Sequence, residues 1–138
     1  MTQARYEVTP VAWVESPLKH REQAPRQGSE GAPPAWLVVE PHLAEAIRDL
    51  RVGEQVIVLT WLDRSRRDEL STVPGGNPGS PPLGVFSTRS PHRPNPIGLH
   101  RVGIVAIDGL RIQVSPLEAL DRTPVLDIKP VLDPTAER

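Results

Sequence analysis

Gly84-Val85-Phe86-Ser87-Thr88-Arg89-Ser90-Pro91-His92-Arg93-Pro94-Asn95-Pro96-Ile97-Gly98-Leu99 is the most constrained stretch of this 138-residue chain. Prolines at 91, 94 and 96 fix φ and push each preceding residue toward extended geometry, so the segment has little conformational entropy left to lose on binding. It carries Arg89, His92 and Arg93. Guanidinium forks on a stiff loop suit recognition of a carboxylate, a phosphate or a polar cofactor. The competing reading is a surface turn, or a polyproline ligand with Pro91 and Pro94 as its PxxP pair. Position decides against the ligand, because the stretch lies mid-chain between apolar runs that read as strands.

Downstream, Val102 to Val114 is the best hairpin in the sequence. Asp108-Gly109 is the pair that a two-residue type I′ turn requires, placing Ile107 opposite Leu110 and Val105 opposite Ile112, with Arg111 and Gln113 on the other face. Upstream, residues Arg66 to Pro82 include Pro74-Gly75-Gly76-Asn77-Pro78-Gly79-Ser80-Pro81-Pro82. This is a flexible excursion, either a lid or a connector, and it lacks the Gly-Lys-Ser/Thr ending of a phosphate loop. Gln55 to Leu62 is almost continuously apolar and reads as the most buried strand, with Asp63-Arg64 delivered to its rim. Leu43, Ala46, Ile47 and Leu50 fall at helical spacing behind Pro41, which predicts a short helix stopped by Gly53. Trp36 to Glu40 reads as a strand, and Ser16 to Pro34 as a long surface loop. Tyr6 to Glu15 alternates loosely, as an edge strand interrupted by Pro10.

Several short strands, one short helix and long Pro/Gly-rich loops predict a mainly β protein, an antiparallel sheet closed into a small barrel or folded as a sandwich. Alternating βα units and a GxGxxG turn are absent, which argues against a dinucleotide fold. The length fits one domain over residues 1–138. With no cysteine in the chain, disulfides, thiolate nucleophiles and cysteine-held zinc are excluded. His20, His42, His92 and His100 show no metal-ligand spacing, so no metal is expected. The formal net charge of −1 argues against a protein that coats nucleic acid with its whole surface. Local basic clusters remain at Arg64, Arg66 and Arg67 and at Arg89, His92, Arg93, His100 and Arg101. No stretch is long and apolar enough for a membrane span or a signal peptide, so a soluble, cytoplasmic protein with no membrane partner is expected.

The stretch from Phe86 to Leu99 resembles the signature of the TsaA-like (YaeB/TrmO) family. The segment Asp121-Arg122-Thr123-Pro124-Val125-Leu126-Asp127-Ile128-Lys129-Pro130 is similar to the family's second block, and Ser16-Pro17 followed by Pro25-Arg26-Gln27 to a third. In order and spacing the three cover nearly the whole chain. The resemblance implies a β-barrel that binds S-adenosylmethionine, commonly as a homodimer, and methylates N6 of threonylcarbamoyladenosine at position 37 of tRNA. It implies one barrel domain, without the further C-terminal domain of the tRNA enzyme. Matching motif to motif, it implies cofactor contacts at Arg26, Gln27, Gly28, Ser29, Glu30, Asp63, Arg64, Arg89, Leu99, Ser115, Pro116, Leu117 and Glu118. The chain departs from the family pattern at Asp63-Arg64, where the tRNA enzyme has His-Gln, at Glu118, where it has Asp, and at Arg122, which replaces a glycine.

Transfer of a methyl group from a sulfonium is an in-line displacement that needs alignment more than a covalent nucleophile. Glu118, Asp63 or Glu30 could hold the cofactor's ammonium or its ribose hydroxyls. The acceptor nitrogen must lose a proton. Asp121 and Asp127 are candidate bases, with turn capping or pairing to Lys129 as the alternatives. Arg93 and Asn95 could steer a phosphate or the threonyl carboxylate, and Asn95 could equally bond its own turn.

Overall fold

The structure, a computed structural model, describes residues 4–20, 23–25, 31–76 and 79–132. Its strands are β1 (Ala12–Glu15), β2 (Ala35–Val39), β3 (Gln55–Trp61), β4 (Ser71–Thr72), β5 (Leu83–Gly84), β6 (Ile97–Asp108), β7 (Arg111–Ser115) and β8 (Pro124–Pro130). Six of them close an antiparallel barrel in the order β1-β2-β7-β6-β3-β8, and β4 and β5 form a separate two-stranded ribbon. The expected mainly β architecture is therefore a barrel and not a sandwich.

Period-two alternation fills the interior. Val14, Leu37, Val58, Val102, Ile112, Val114 and Val125 all point inward and are buried. Burying each such side chain is favourable by roughly 1.5–3 kcal/mol before conformational entropy is charged against it. Closure leaves no edge in the barrel sheet, since β8 pairs with both β3 and β1.

Four local expectations are corrected. Tyr6 and Val8 are 90% and 65% exposed, so the first strand begins only beyond Pro10. The run in β3 is not buried on both faces: Val56, Val58 and Thr60 point inward, while Ile57, Leu59 and Trp61 lie half-buried on the outer surface. The hairpin turn is shifted by one residue. Asp108 pairs with Arg111 and Ile107 with Ile112, so Gly109 and Leu110 form the turn. Gly109 sits at φ 60 and Leu110 is not at positive φ, the glycine-first pattern of a type II′ turn. A register shift between Ile104 and Ala106 then keeps Ile104 inside.

The segment behind Pro41 is a 3-10 helix, Pro41–Ile47, broken at Leu43 (φ −107, ψ 15). Glu40 provides no side-chain cap, and a segment this short cannot sustain α-helical cooperativity. Leu43, Ile47 and Leu50 still pack against the core as their spacing requires, whereas Ala46 is exposed. The second family-like block, read only as a closing segment from the sequence, supplies β8, and the Pro/Gly-rich excursion carries the β4–β5 ribbon.

Candidate functional site

Because all neighbours in the barrel are antiparallel, the C-terminal ends of β1, β3 and β7 share one rim with the N-terminal ends of β2, β6 and β8. Three connections meet at that rim, residues 16–34, 62–96 and 116–123. They hold most of the sequence-derived candidates. Arg26, Gln27, Gly28, Ser29 and Glu30 belong to the first connection but lie outside the described residues. Asp63 and Arg64 follow β3, Arg89 and Arg93 precede β6, and Pro116 to Asp121 follow β7.

The proline-rich loop is held from within. Arg93 donates from Nη2 to the carbonyl of Val85 at 2.9 Å and from Nη1 to those of Thr88 at 3.1 Å and Ser90 at 2.9 Å. Its fork therefore faces its own loop. Arg67 joins the neighbouring turn to this loop, donating to Pro94 O at 2.7 Å and Asn95 Oδ1 at 2.9 Å while its guanidinium lies 5.2 Å from the Trp61 ring centroid. The Asn95 side chain thus serves a contact between loops. The Arg66 N–H donates to His92 Nδ1 at 2.9 Å, completing the seam.

Arg64 donates to the carbonyl of Lys19 at 3.0 Å, linking the end of β3 to the connection after β1. The side chains of Asp63 and Arg89, by contrast, are exposed and make no hydrogen bond or ion pair among the described residues. They are therefore open to a ligand. Leu99 lies two residues into β6 on its outer face, opposite Leu59.

β7 stops opposite Gly103, so residues 97–102 of β6 project past it. The connection 116–123 meets that projection where Glu118 reaches His100. Pro116 is joined to Ser115 by a cis peptide bond. Leu117 and Ala119 turn into the core, and the Leu117 N–H donates to Pro33 O at 3.1 Å. Glu118, between them, accepts from His100 Nδ1 at 2.6 Å, and His100 Nε2 contacts Thr60 Oγ1 at 2.7 Å. Thr60 and His100 are buried, and Glu118 is 17% exposed at its side chain. Sequence reasoning missed this link. A detectable signal existed, since His100 falls on the inward phase of β6 between Gly98 and Val102, where a polar ring needs partners.

Asp121 receives the Ser16 N–H at 2.9 Å and Lys19 Nζ at 2.8 Å. The hydrogen bond from Lys19 lowers its pKa below the ordinary carboxylate value, against an opposing push from desolvation. A carboxylate held this way is a weak proton acceptor and a good cap. Asp127 lies along β8 opposite Leu59 and pairs with Lys129 Nζ at 2.9 Å, apart from the rim turns. Among the described residues, no group of three or more histidine, aspartate or glutamate side chains is placed to hold a metal ion.

The family described as the tRNA-methyltransferase O N-terminal domain matches residues 13–135. An S-adenosyl-L-methionine-binding protein of Archaeoglobus fulgidus is 41% identical over 120 residues, 87% of this chain and 85% of that protein. A probable S-adenosyl-L-methionine-binding protein of Methanothermobacter thermautotrophicus is 38% identical over 130 residues, 94% and 93% of the two chains. A second Archaeoglobus fulgidus relative, named a probable S-adenosyl-L-methionine-binding protein, is 43% identical over 120 residues, 87% of this chain and 32% of its own length. The crystal structure of TrmO from Pseudomonas aeruginosa superposes with a TM-score of 0.75 at 30% identity, covering 97% of this chain and 58% of that one. The chain thus spans about a third of one relative and under two thirds of the solved TrmO chain. Barrel, rim blocks and a match over nearly its whole length agree: this chain belongs to the tRNA-methyltransferase O N-terminal domain family.

Proposed function

We propose that the chain binds S-adenosylmethionine at the rim and transfers its methyl group to N6 of threonylcarbamoyladenosine at position 37 of tRNA, acting in the cytoplasm as a homodimer. The observation that carries this reading is that the connections after β1, β3 and β7, which hold or adjoin the three family-like segments, all leave the barrel at one rim. The donor set fits a zwitterionic, cationic cofactor. Asp63 and Glu118 offer carboxylate oxygens, and Arg89 offers a guanidinium uncommitted among the described residues. When bound, S-adenosylmethionine supplies an electrophilic methyl group, and the chain's own task is to align it with the acceptor. The loop braced by Arg93 and Arg67 is stiff enough to do so. Arg64, Arg89 and Arg122 add positive charge near the same end for an RNA backbone.

The outer face of β3 and β6 supports a dimer. Leu59 lies opposite Leu99 and Trp61 opposite Ile97, all on the outer surface, and Phe86 is 82% exposed on the approach to β6. An apolar face of this kind is suited to a second copy. Light scattering that returns a monomer at all working concentrations removes the dimer from the reading.

The decisive experiment incubates the protein with labelled S-adenosylmethionine and tRNA from a strain lacking this gene, then locates the methyl by nucleoside mass spectrometry. Label on N6 of threonylcarbamoyladenosine is the expected result. A second reading, binding without transfer, is favoured by the relatives being named for S-adenosyl-L-methionine binding. Calorimetric binding with no label in any RNA selects it, and absence of binding removes both.

A further inference from the structure

Three side chains far apart in the sequence form a single hydrogen-bonded line running from the barrel interior to the rim: Thr60 on β3, His100 on β6 and Glu118 after β7. The geometry fixes the partners, and the protonation state of the ring sets the direction of each bond. An ionised carboxylate only accepts, so His100 Nδ1–H donates to Glu118 Oε1; in a neutral ring Nε2 then accepts the Thr60 hydroxyl proton. Residue types in the order hydroxyl, imidazole and carboxylate suggest a nucleophilic triad, but Thr60 is fully enclosed, so no substrate can reach its oxygen. The neighbouring backbone is also committed to the line. A Cβ at Gly98 would stand 2.7 Å from His100 Nε2 and closer still to Thr60 Oγ1, so the ring occupies space that only glycine leaves open.

What reaches the rim is the carboxylate. Glu118 Oε1 is occupied by His100, while Oε2 takes no hydrogen bond among the described residues. Leu117 and Ala119 anchor the backbone on either side, and the ring fixes the side chain that leaves it. We propose that His100, itself held by Thr60, is the positioning residue for Glu118, presenting Oε2 to the α-ammonium of the cofactor's amino-acid arm. This rests on the reading that the rim binds S-adenosylmethionine. Charge selects the ammonium: a carboxylate oxygen with no cation of its own gains most from a cationic donor.

The test separates positioning from packing by two substitutions of similar size. Asparagine at position 100 places an amide N–H close to where Nδ1–H lies and can still donate to Glu118. Glutamine places it closer to Nε2 and serves Thr60 instead. Calorimetry is run with S-adenosylmethionine, with S-adenosylhomocysteine, which keeps the ammonium, and with 5′-methylthioadenosine, which lacks the whole arm. His100→Gln is expected to weaken the first two by about tenfold, the scale of one charged hydrogen bond, and to leave the third unchanged. His100→Asn is expected to restore most of that loss. Equal affinities for both variants, or an equal loss for 5′-methylthioadenosine, overturn the inference while leaving cofactor binding intact. If the unaltered protein binds none of the three, the cofactor reading itself falls, and that is visible before any variant is made. Should both histidine variants fail to fold, Glu118→Gln, which keeps an acceptor for Nδ1–H, carries the test. Loss confined to ligands with the ammonium supports the Glu118 contact on which the inference depends, and unchanged affinity overturns it.

Discussion

The two ends of the barrel are built from the same six strands and use their polar side chains differently. At the rim, the connections bring carboxylates, guanidiniums and a buried imidazole together. At the far end the connections are the segment holding Pro41–Ile47 and the tight turn at Gly109 and Leu110, where Leu43, Ile47 and Leu50 pack against the core and the charged side chains Glu45, Arg48 and Asp49 pair with one another on the exposed side. Val11, Val39, Leu43, Ile47, Leu50 and Ile128 line one groove of about 160 Å³ at that end, and a shallower one of about 500 Å³ adjoins Ile107 and Leu110. Strand alternation makes the interior common to both ends; what the connections deliver differs, with the Thr60–His100–Glu118 line reaching only the rim.

The sharpest way to break the contrast is to remove a plug from each end. Leu117→Ala at the rim empties a fully buried position and is expected to cost about 3–4 kcal/mol, against about 1–2 kcal/mol for Leu43→Ala at the half-exposed far end, by urea denaturation. Comparable losses would mean that the far end is as tightly packed as the rim. Glycines give a second contrast. Gly98→Ala forces a methyl group into Thr60 and His100 and should cost about 3 kcal/mol, whereas Gly109→Ala meets no atom within 4 Å and should cost only about 1 kcal/mol, for its positive φ.

Function should depend on the rim alone. Arg89→Ala is expected to weaken S-adenosylmethionine binding by about 1–3 kcal/mol in calorimetry while leaving the unfolding free energy within about 0.5 kcal/mol of its original value. An unchanged dissociation constant takes Arg89 out of the site.

Acid should loosen the rim through Asp121. Its folded pKa is lowered, so its stabilising contribution is complete above the ordinary carboxylate range and is lost as pH falls through that lowered value. Asp121→Asn should flatten this part of the acid-unfolding profile, and less so at high salt, where the exposed Lys19 is screened. The smallest effect belongs to Arg122, at φ 69 and 89% exposed at its side chain. Replacing it with glycine relieves the left-handed strain but adds unfolded-state entropy, for a net gain of about 0.5 kcal/mol. A net loss would show that the arginine side chain stabilises the turn.

The mainly antiparallel β class was legible because strand alternation is a local rule, while closure into a barrel rather than a sandwich came from the resemblance, since alternation alone fits both. The convergence of Asp63, Arg64 and Glu118 on one end was legible too, once the strands were known to close. The Thr60–His100–Glu118 line was not legible, because it joins residues 40 and 18 positions apart through a register that local patterns do not specify. Arg93 shows a different limit. Its residue type suggested an outward anion contact, but the loop's carbonyls were nearer partners and claimed the fork. The outer face of β3 read as core for a related reason: apolar side chains do not announce whether they meet the protein's own interior or a second surface.

One consequence of barrel closure concerns the chain ends. β1 is entered from the far end, where Val11 meets the Pro41–Ile47 segment, and β8 runs away from the rim until Val131 meets Gln55 at the start of β3. Anything fused before Ala12 or after Pro130 therefore departs from the end opposite the charged rim. A fluorophore placed beside Val11 or Val131 reports on the far end and leaves Glu118 and Asp121 at the rim untouched.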